Sequence, residues 1–196
     1  LPSAGERTLE GGVRRRLGEA GMPTLLLDGD ELRIGLCRGL GFTDEGRTEN
    51  LRRAAEVAAL AARSGIGTVA AMITPQETQR VMIRGILAGL PVLWVWADCP
   101  VEECLRRDVK GLYRRQQAGE LRNLTGMDGV FEAPGFEVLR VDTSALSVEE
   151  SVDAVWRALK MDASHDSGVS GSEAAKRGKT PKRRLSARNL ITPGVR

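Results

Sequence analysis

Residues 28–53 combine the residue types that suit a site for a phosphate-bearing nucleotide and a metal ion. This stretch, DGDELRIGLCRGLGFTDEGRTENLRR, holds an Asp-Gly-Asp turn, several arginines, a Phe in a polar loop and an Asn. The planar fork of an arginine can hold a phosphate or sulfate through two parallel hydrogen bonds. Carboxylates bind Mg²⁺ and can also accept a proton. The segment therefore predicts anion binding beside a carboxylate pair.

Alternating apolar runs and amphipathic segments must position these residues. Apolar runs predict buried strands at residues 23–30, 66–75, 91–100 and 136–143. Helical spacing predicts helices at residues 47–64 and 76–88, a short helix around LRRD, and a last helix from Ser147 to about Lys160. Residues 109–134 are Gly-rich and predict a long mobile loop. The alternation implies parallel strands joined by crossover helices, in an open three-layer α/β sheet.

Polar side chains follow several of the predicted strands. Asp28 and Asp30 follow the first of them, Thr74 the second and Asp98 the third. Ligands bind beyond the carboxyl ends of the strands in such sheets. A capped turn would account for each residue singly, but their joint occurrence favours a ligand site at this edge.

Length and charge indicate one domain followed by a different kind of segment. Of 196 residues, 161–196 carry eight Lys/Arg and three Asp/Glu, so the net charge of +3 leaves −2 for residues 1–160. We therefore expect a domain at residues 1–160 and a basic tail at 161–196, whose Ser, Gly, Lys and Arg content predicts disorder. His165, the single histidine, lies in this tail. A mechanism without histidine is therefore expected.

Two function classes are disfavoured by composition. No run of about 18 apolar residues predicts a membrane span. The tail could touch a polyanion, but the slightly acidic domain argues against a nucleic-acid-binding protein. Cys37, Cys99 and Cys104 show no CxxC spacing, and no signal peptide is recognised. These features favour reduced thiols and a cytoplasmic location.

Four sequence blocks resemble the adenylylsulfate kinase family in their order and spacing. They are LDGDELR, LGFTDEGRTENLRR, DVKGLYRR and NLTGMDGVFEAP, and the resemblance spans roughly residues 1–160. That family transfers the γ-phosphate of ATP to the 3′-hydroxyl of adenosine 5′-phosphosulfate (adenylyl sulfate). The resemblance implies a three-layer P-loop kinase-like fold with a mainly parallel sheet. It also implies Mg²⁺ as cofactor and ATP as phosphoryl donor.

The resemblance assigns roles to matching residues. Asp28 and Asp30 match the acidic turn, and Asp28 would be the metal ligand and lie near the acceptor hydroxyl. Lys110 is the third catalytic candidate, in a Gly-rich lid at residues 110–130 whose closure would exclude water. The implied substrate-binding residues are Arg33, Phe42, Arg47, Asn50, Ile73, Thr74 and Phe131. The two phenylalanines would stack on the adenine of adenylyl sulfate.

The segment LPSAGERT, at the start of the chain, resembles an altered phosphate loop. A working loop reads GxxxxGK[ST], in which the lysine bridges phosphates and the hydroxyl binds Mg²⁺. By family order, Gly5 matches the second glycine, Glu6 the lysine and Arg7 the Ser/Thr, and Thr8 follows. Glu6 would repel phosphate, because two unit charges about 4 Å apart interact by roughly 4 kcal/mol at an effective dielectric near 20. Arg7 could restore some positive charge.

The sheet is expected to lack or alter the strand that leads into this loop. That strand would be central in the sheet, and its loss would leave neighbouring ladder groups unpaired. Gly11 and Gly12 also weaken the helix after the loop. A fragment, a degenerate relative and a site completed by another chain are the three explanations that remain open.

Two functions remain open as well. The first is an adenylylsulfate kinase with a compromised ATP loop, in which Arg106 would contact the ATP adenine. The second is a catalytically inactive module that binds the sulfonucleotide, because Arg33, Arg47 and Asn50 are intact beside the altered loop. The resemblance implies ATP and adenylyl sulfate as ligands. It also suggests a homodimer and association with ATP sulfurylase.

Overall fold

A parallel sheet lies between two helical layers in the structure, a computed structural model that describes residues 2–108, 111–120, 124, 129, 131–165 and 189–193. The strands are β1 (Thr24–Asp28), β2 (Gly67–Met72), β3 (Val92–Asp98), β4 (Leu139–Asp142) and β5 (Asn189–Pro193). The helices are α1 (Glu6–Glu19), α2 (Gly29–Ile34), α3 (Asp44–Arg63), α4 (Glu77–Ile86), α5 (Val101–Arg107), α6 (Leu112–Gln117) and α7 (Val148–His165).

The sheet has the order β1-β2-β5-β3-β4, and every neighbouring pair is parallel. All five carboxyl ends therefore point to one edge. Asp28 is opposite Ala71 at that edge, and Asp98 is opposite Asp142. The expected open parallel α/β sheet is confirmed, and so is the placement of polar strand ends at a common edge.

Two apolar cores cover the two faces of the sheet. On one face, α1 and α7 pack on the strands through residues such as Val13, Val95 and Val155. On the other face, the alanine-rich side of α3 and the apolar side of α4 pack on Leu27 and Trp94. The small alanines let α3 approach the sheet closely, and the expected three layers are present.

Most predicted elements form, with shifted ends. The first predicted strand stops at Asp28, because Gly29 already begins α2 and the Asp28 side chain caps that helix. The predicted loop at 109–134 contains the short helix α6, and its end is tied to α4. Arg80, fully buried, makes that tie by donating to the carbonyl oxygens of Thr74 (2.7 Å) and Glu132 (2.7 Å).

The tail differs from its expected disorder in two places. Helix α7 continues through His165, and residues 189–193 form β5 between β2 and β3. Thr68 and Val92 flank Asn189, while Ala70 and Trp94 flank Ile191. We expected the central strand position to be missing or altered, and β5 of this chain fills it. The remaining tail residues lie outside the described part of the chain.

The paired glycines of α1 also have a use that their low helix propensity did not predict. A Cβ at Gly12 would overlap the Cγ2 atom of Val152, so this glycine allows close packing of α1 on α7. A Cβ at Gly11 would meet nothing within 4 Å. Arg16 reinforces the same helix pair through ion pairs with Glu149 and Asp153.

We expect Gly12→Ala and Gly11→Ala to change stability in opposite directions. Alanine at position 12 overpacks the interface between α1 and α7 and should lower the free energy of unfolding by about 1–3 kcal/mol. Alanine at position 11 should raise it by about 0.5–1 kcal/mol, because only helix propensity changes. Urea denaturation of both variants measures the difference. Equal effects would contradict the packing of α1 on α7.

Ile191→Pro should destabilise the protein, because proline in a central strand removes a ladder N–H and its ring disrupts pairing. We expect a loss of about 2 kcal/mol or more in the free energy of unfolding, or about 4–8 °C in Tm. Ile191→Val, which keeps the N–H and the β-branched side chain, is the matched control. An Ile191→Pro protein with the wild-type Tm would exclude β5 from the sheet.

Candidate nucleotide and acceptor site

One cavity of about 940 Å³ opens at the carboxyl edge of the sheet. The start of α1 and the loop before it form one wall, and the segment from β1 to α3 forms another. The predicted site residues that line it are Gly5, Glu6, Arg7, Thr8, Asp28, Asp30, Arg33, Phe42, Arg47, Asn50 and Ile73. The structure therefore joins the altered phosphate loop and the arginine-rich segment in one cavity.

The loop before α1 is held at both of its ends. The Tyr113 hydroxyl donates to the Pro2 carbonyl oxygen (3.0 Å), and the Thr143 hydroxyl donates to that of Ala4 (2.6 Å). Gly5 precedes the helix with φ 95°, a left-handed conformation that glycine adopts without steric cost. Side chains that are more than 100 residues away in the sequence, Tyr113 and Thr143, thus hold the loop backbone in place.

Arg7 joins the first turn of α1 to the end of β1. Its Nε and Nη2 atoms donate to the two carboxylate oxygens of Asp28, at 2.9 and 3.1 Å. Nη2 also donates to Asp30 Oδ2 at 3.3 Å. Paired N–H bonds from one guanidinium to one carboxylate are the strong, geometrically specific form of this interaction. Arg7 therefore acts as the counter-ion of the acidic turn.

Asp28 accepts four hydrogen bonds in this arrangement. Besides the two from Arg7, its Oδ1 atom accepts the backbone N–H groups of Asp30 (2.8 Å) and Glu31 (3.1 Å), which caps α2. A carboxylate offers about four lone-pair sites. Three of the four bonds are accepted by Oδ1, and Oδ2 accepts only the one from Arg7 Nε, so a cation at Oδ2 would lie directly beside the guanidinium.

The Mg²⁺ ion that the resemblance implied does not fit the residues present. Arg7 stands where a hydroxyl ligand was expected, and its guanidinium already pairs with Asp28. Within the described part of the chain, no three His, Cys, Asp or Glu side chains are grouped so that they could hold a metal ion. The cation that pairs with Asp28 in this structure is therefore the Arg7 guanidinium, and not the metal ion that we expected.

Glu10 lies one helical turn beyond Glu6 and is buried in α1, although no residue at this position was singled out from the sequence. No described residue forms a hydrogen bond with its Oε2 atom. Burial and the nearby Asp28 carboxylate raise the pKa of Glu10 to about 7, against the opposing effect of Arg7. Glu10 is therefore a mixture of neutral and charged forms near neutral pH.

The acceptor side of the cavity is built around an exposed aromatic ring. The Arg33 guanidinium carbon lies 4.4 Å from the centre of the Phe42 ring, and that of Arg47 lies 5.8 Å from it. Arg33 also donates to the carbonyl oxygens of Leu40 and Gly41, and Arg47 donates to that of Phe42, each at 2.9 Å. Burial and the neighbouring Arg33 lower the pKa of Arg47. Two cations are thus held beside one ring, an arrangement that suits an anionic ligand with an aromatic base.

Asn50 adds a hydrogen-bonding group to the cavity wall. It is 4% exposed, and its Oδ1 atom has no hydrogen-bond partner among the residues that the structure describes. Its Nδ2 atom would lie 3.6 Å from a Cβ at Gly29, so the side chain lies against the Asp-Gly-Asp turn. A buried amide oxygen without a partner is costly. A ligand donor in the cavity would remove that cost.

Three predicted residues do not line this cavity. Thr74 is completely buried, and Phe131 lies against Trp96 at 6.4 Å between ring centres. Arg106 is exposed and pairs with Glu103 at 2.7 Å. A fourth residue, Lys110, lies outside the described residues. Asp98, which was noted at a strand end, accepts a hydrogen bond from Arg140 at 2.5 Å.

Arg107, and not the predicted Arg106, is the arginine of the LRRD motif that lines the cavity. It donates to the Thr143 carbonyl oxygen at 2.7 Å. Successive helix residues differ by about 100° in direction, so only one arginine of the LRRD motif can point to the loop. Both arginines pair with Glu103, three and four residues earlier, so this spacing gives no signal that tells them apart.

Comparison with known proteins identifies the family. A sequence model of the family described as adenylylsulphate kinase matches residues 1–142. The chain belongs to the adenylylsulphate kinase family. The cavity, the acidic turn and the arginine-rich segment all lie within the matched residues.

Curated members of the adenylylsulphate kinase family match most of this chain. An adenylyl-sulfate kinase of Marinobacter nauticus is 41% identical over 155 residues, which are 79% of this chain and 78% of the relative. The bifunctional enzyme NodQ of Azospirillum brasilense is 43% identical over 159 residues, or 81% of this chain. This chain spans only 26% of that NodQ protein.

A solved structure from the same family has the same fold. It is the Mycobacterium tuberculosis APS kinase CysC in complex with AMPPNP and APS. Its sequence is 36% identical, its TM-score is 0.78, and the match covers 82% of this chain and 93% of that one. The expected P-loop kinase-like fold is therefore confirmed.

Within this fold, the buried Glu10 should make stability depend on pH. Its folded-state pKa of about 7 is raised from 4.5, so the folded protein binds its proton more tightly. The stabilising contribution is full below about pH 4.5 and is lost as the pH rises through 7. Glu10→Gln should therefore raise the free energy of unfolding at pH 8, by on the order of 2–3 kcal/mol, and have little effect at pH 5.

Chemical denaturation at both pH values measures this change. Glu19→Gln, an exposed position on the same helix, is the control and should leave the pH dependence unchanged. A Glu10→Gln protein whose stability keeps the wild-type pH dependence would show that Glu10 is not the responsible group.

Proposed function

We propose that this chain is an adenylyl-sulfate kinase whose best-formed element is the site for the phosphoryl acceptor. The observation that carries the proposal is the aromatic ring of Phe42 with Arg33 and Arg47 beside it, in the cavity next to the acidic turn. The reaction would transfer the γ-phosphate of ATP to the 3′-hydroxyl of adenylyl sulfate. Asp28 and Asp30 would lie near the acceptor hydroxyl, without a metal ion bound to Asp28. The proposed substrate-binding residues that line the cavity are Arg33, Phe42, Arg47, Asn50 and Ile73.

The acceptor fits the chemistry of this wall. Phe42 is 62% exposed, so its ring face is open to an adenine. Two guanidinium groups beside the ring match a ligand that carries phosphate and sulfate. Asn50 offers a buried amide oxygen to a ligand donor. This combination supports binding of an adenine nucleotide with a charged 5′-substituent.

Positioning is what these residues contribute to phosphoryl transfer. Most of the acceleration in such reactions comes from alignment and neutralisation of charge rather than covalent chemistry by the protein. Asp28 and Asp30 lie at the strand edge where the acceptor hydroxyl would meet the donor. Mg²⁺ accompanies ATP in solution, and the positioning of the acceptor by these residues does not depend on a metal that they hold.

A sulfonucleotide-binding module without turnover is the second candidate, and the altered loop favours it. Glu6 places a carboxylate in the cavity where a lysine was expected, and Arg7 is already paired with Asp28. Both features weaken attraction for a triphosphate. The acceptor wall does not depend on either residue.

The partners and location remain predictions. NodQ, by its name, is a bifunctional enzyme, and association of this chain with ATP sulfurylase is a proposal of ours. A homodimer is likewise proposed. None of the helices in the described residues is both long and apolar enough to span a membrane. A cytoplasmic location stays a prediction from the sequence.

Arg47→Ala should weaken binding of adenylyl sulfate by about 1.5–3 kcal/mol, or roughly 10- to 150-fold in Kd, because a charged hydrogen bond is lost. Isothermal titration measures the change. Arg63→Ala is the control, since Arg63 is exposed at the far end of the same helix. An unchanged Kd in Arg47→Ala would remove Arg47 from the acceptor site.

Release of ADP from Mg-ATP separates the two candidate functions. Release that requires adenylyl sulfate supports the kinase. Tight binding of adenylyl sulfate by a folded chain that releases no ADP supports the binding module. Neither binding nor release would overturn both candidates.

A further inference from the structure

We infer that the Arg7 guanidinium replaces a protein-held divalent cation in this site, so that the chain binds a nucleotide's phosphates with its own cation and without a metal ligated by Asp28. The inference deepens the proposed function and rests on it for the identity of the phosphate-bearing ligand. The exclusion of the metal rests on the geometry of the acidic turn alone.

The first argument is that Arg7 pairs with both oxygens of the carboxylate best placed to bind a metal. Asp28 is the buried member of the turn, with its side chain 10% exposed. Its two oxygens accept two N–H groups from Arg7 and two from the backbone of α2. A metal could reach Oδ1 only by displacing one of its three donors, and a metal at Oδ2 would lie against the guanidinium.

The second argument concerns charge. Arg7 also contacts Asp30, so a single cation lies between both carboxylates of the turn. A divalent ion bound to the same carboxylates would lie close to the guanidinium. The guanidinium would repel it twice as strongly as it would repel a unit charge at the same distance. The guanidinium therefore offsets part of the negative charge of the two acids, and it cannot dissociate from the protein.

The third argument is that Arg7 retains donors for a ligand. Its three hydrogen bonds use Nε and Nη2, and Nη1 takes no part in them. The Arg7 side chain is 55% exposed and lines the cavity. The N–H groups of Nη1 can therefore donate to a phosphate oxygen while the rest of the guanidinium neutralises the acids. Arg7 thus offers both charge neutralisation and a phosphate contact, which are the two contributions that a metal ion held by the protein would make.

Direct metal binding tests the exclusion without any nucleotide. Binding of Mn²⁺ to the full chain is followed by the loss of the free-ion EPR signal at millimolar Mn²⁺. We expect the wild-type protein and Arg15→Ser, an exposed arginine on the same helix, to bind no Mn²⁺ at this site. Arg7→Ser should gain a site that disappears again in Arg7→Ser/Asp28→Asn. Circular dichroism establishes that each variant is folded.

Two results in this experiment would overturn the exclusion. One is Mn²⁺ binding by the wild-type protein that Asp28→Asn abolishes, since Arg7 would then not replace the metal. The other is a folded Arg7→Ser protein that binds no Mn²⁺, since Arg7 would then not be what excludes it.

Binding of ADP tests the phosphate contact. We expect the wild-type Kd for ADP to change by less than about twofold between EDTA and Mg²⁺, and that of Arg7→Ser to tighten at least about tenfold when Mg²⁺ is added. Tightening of tenfold in the wild-type protein would contradict the inference. Failure of both proteins to bind ADP in either condition would count against the phosphate contact and the ATP-dependent function together, while the Mn²⁺ result still decides the exclusion.

Discussion

The paired hydrogen bonds between Arg7 and Asp28 are the constraint on which the site depends. They connect the first turn of α1 to the carboxyl end of β1, elements that are 21 residues apart in the chain. Asp28 lies in a largely buried position where removal of its cation would leave an uncompensated charge, which is strongly destabilising. The pair therefore fixes the direction of α1 and supplies the counter-ion of the acidic turn.

The same pair explains why the acids of this region can coexist. Glu10 is buried close to Asp28, and Arg7 is the cation that opposes their mutual repulsion. Burial and, after it, the Asp28 carboxylate outweigh the effect of this cation and raise the pKa of Glu10 to about 7. Binding of a further anion near Asp28 would raise it more, so ligand binding and protonation of Glu10 should be coupled. The acceptor side of the cavity has no such repulsion between carboxylates at its ring, because Arg33 and Arg47 lie beside the uncharged Phe42.

Sequence patterns predicted the sheet and helices well where periodicity is long. The alanine-rich face of α3 and the apolar runs of β1, β2 and β3 show their burial directly in the sequence. Strand β5 could not be predicted in this way. Five residues carry too little periodicity, and their basic, Ser- and Gly-rich surroundings indicate disorder. What places them in the sheet is a ladder position between β2 and β3, which is a property of the whole fold.

The site was predictable in its composition but less so in its contacts. The replacement of a lysine by Glu6 and of a hydroxyl by Arg7 is visible in the sequence alone, but their joint effect is geometric. Moving the positive charge one residue along a helix turns it by about 100°. A cation that would face the phosphates at position 6 faces the acidic turn at position 7. The loop thus keeps a cation, but its first partner is Asp28 rather than the donor nucleotide. Any phosphate must then bind on the far side of a guanidinium that is already committed to two acids, beside the carboxylate of Glu6.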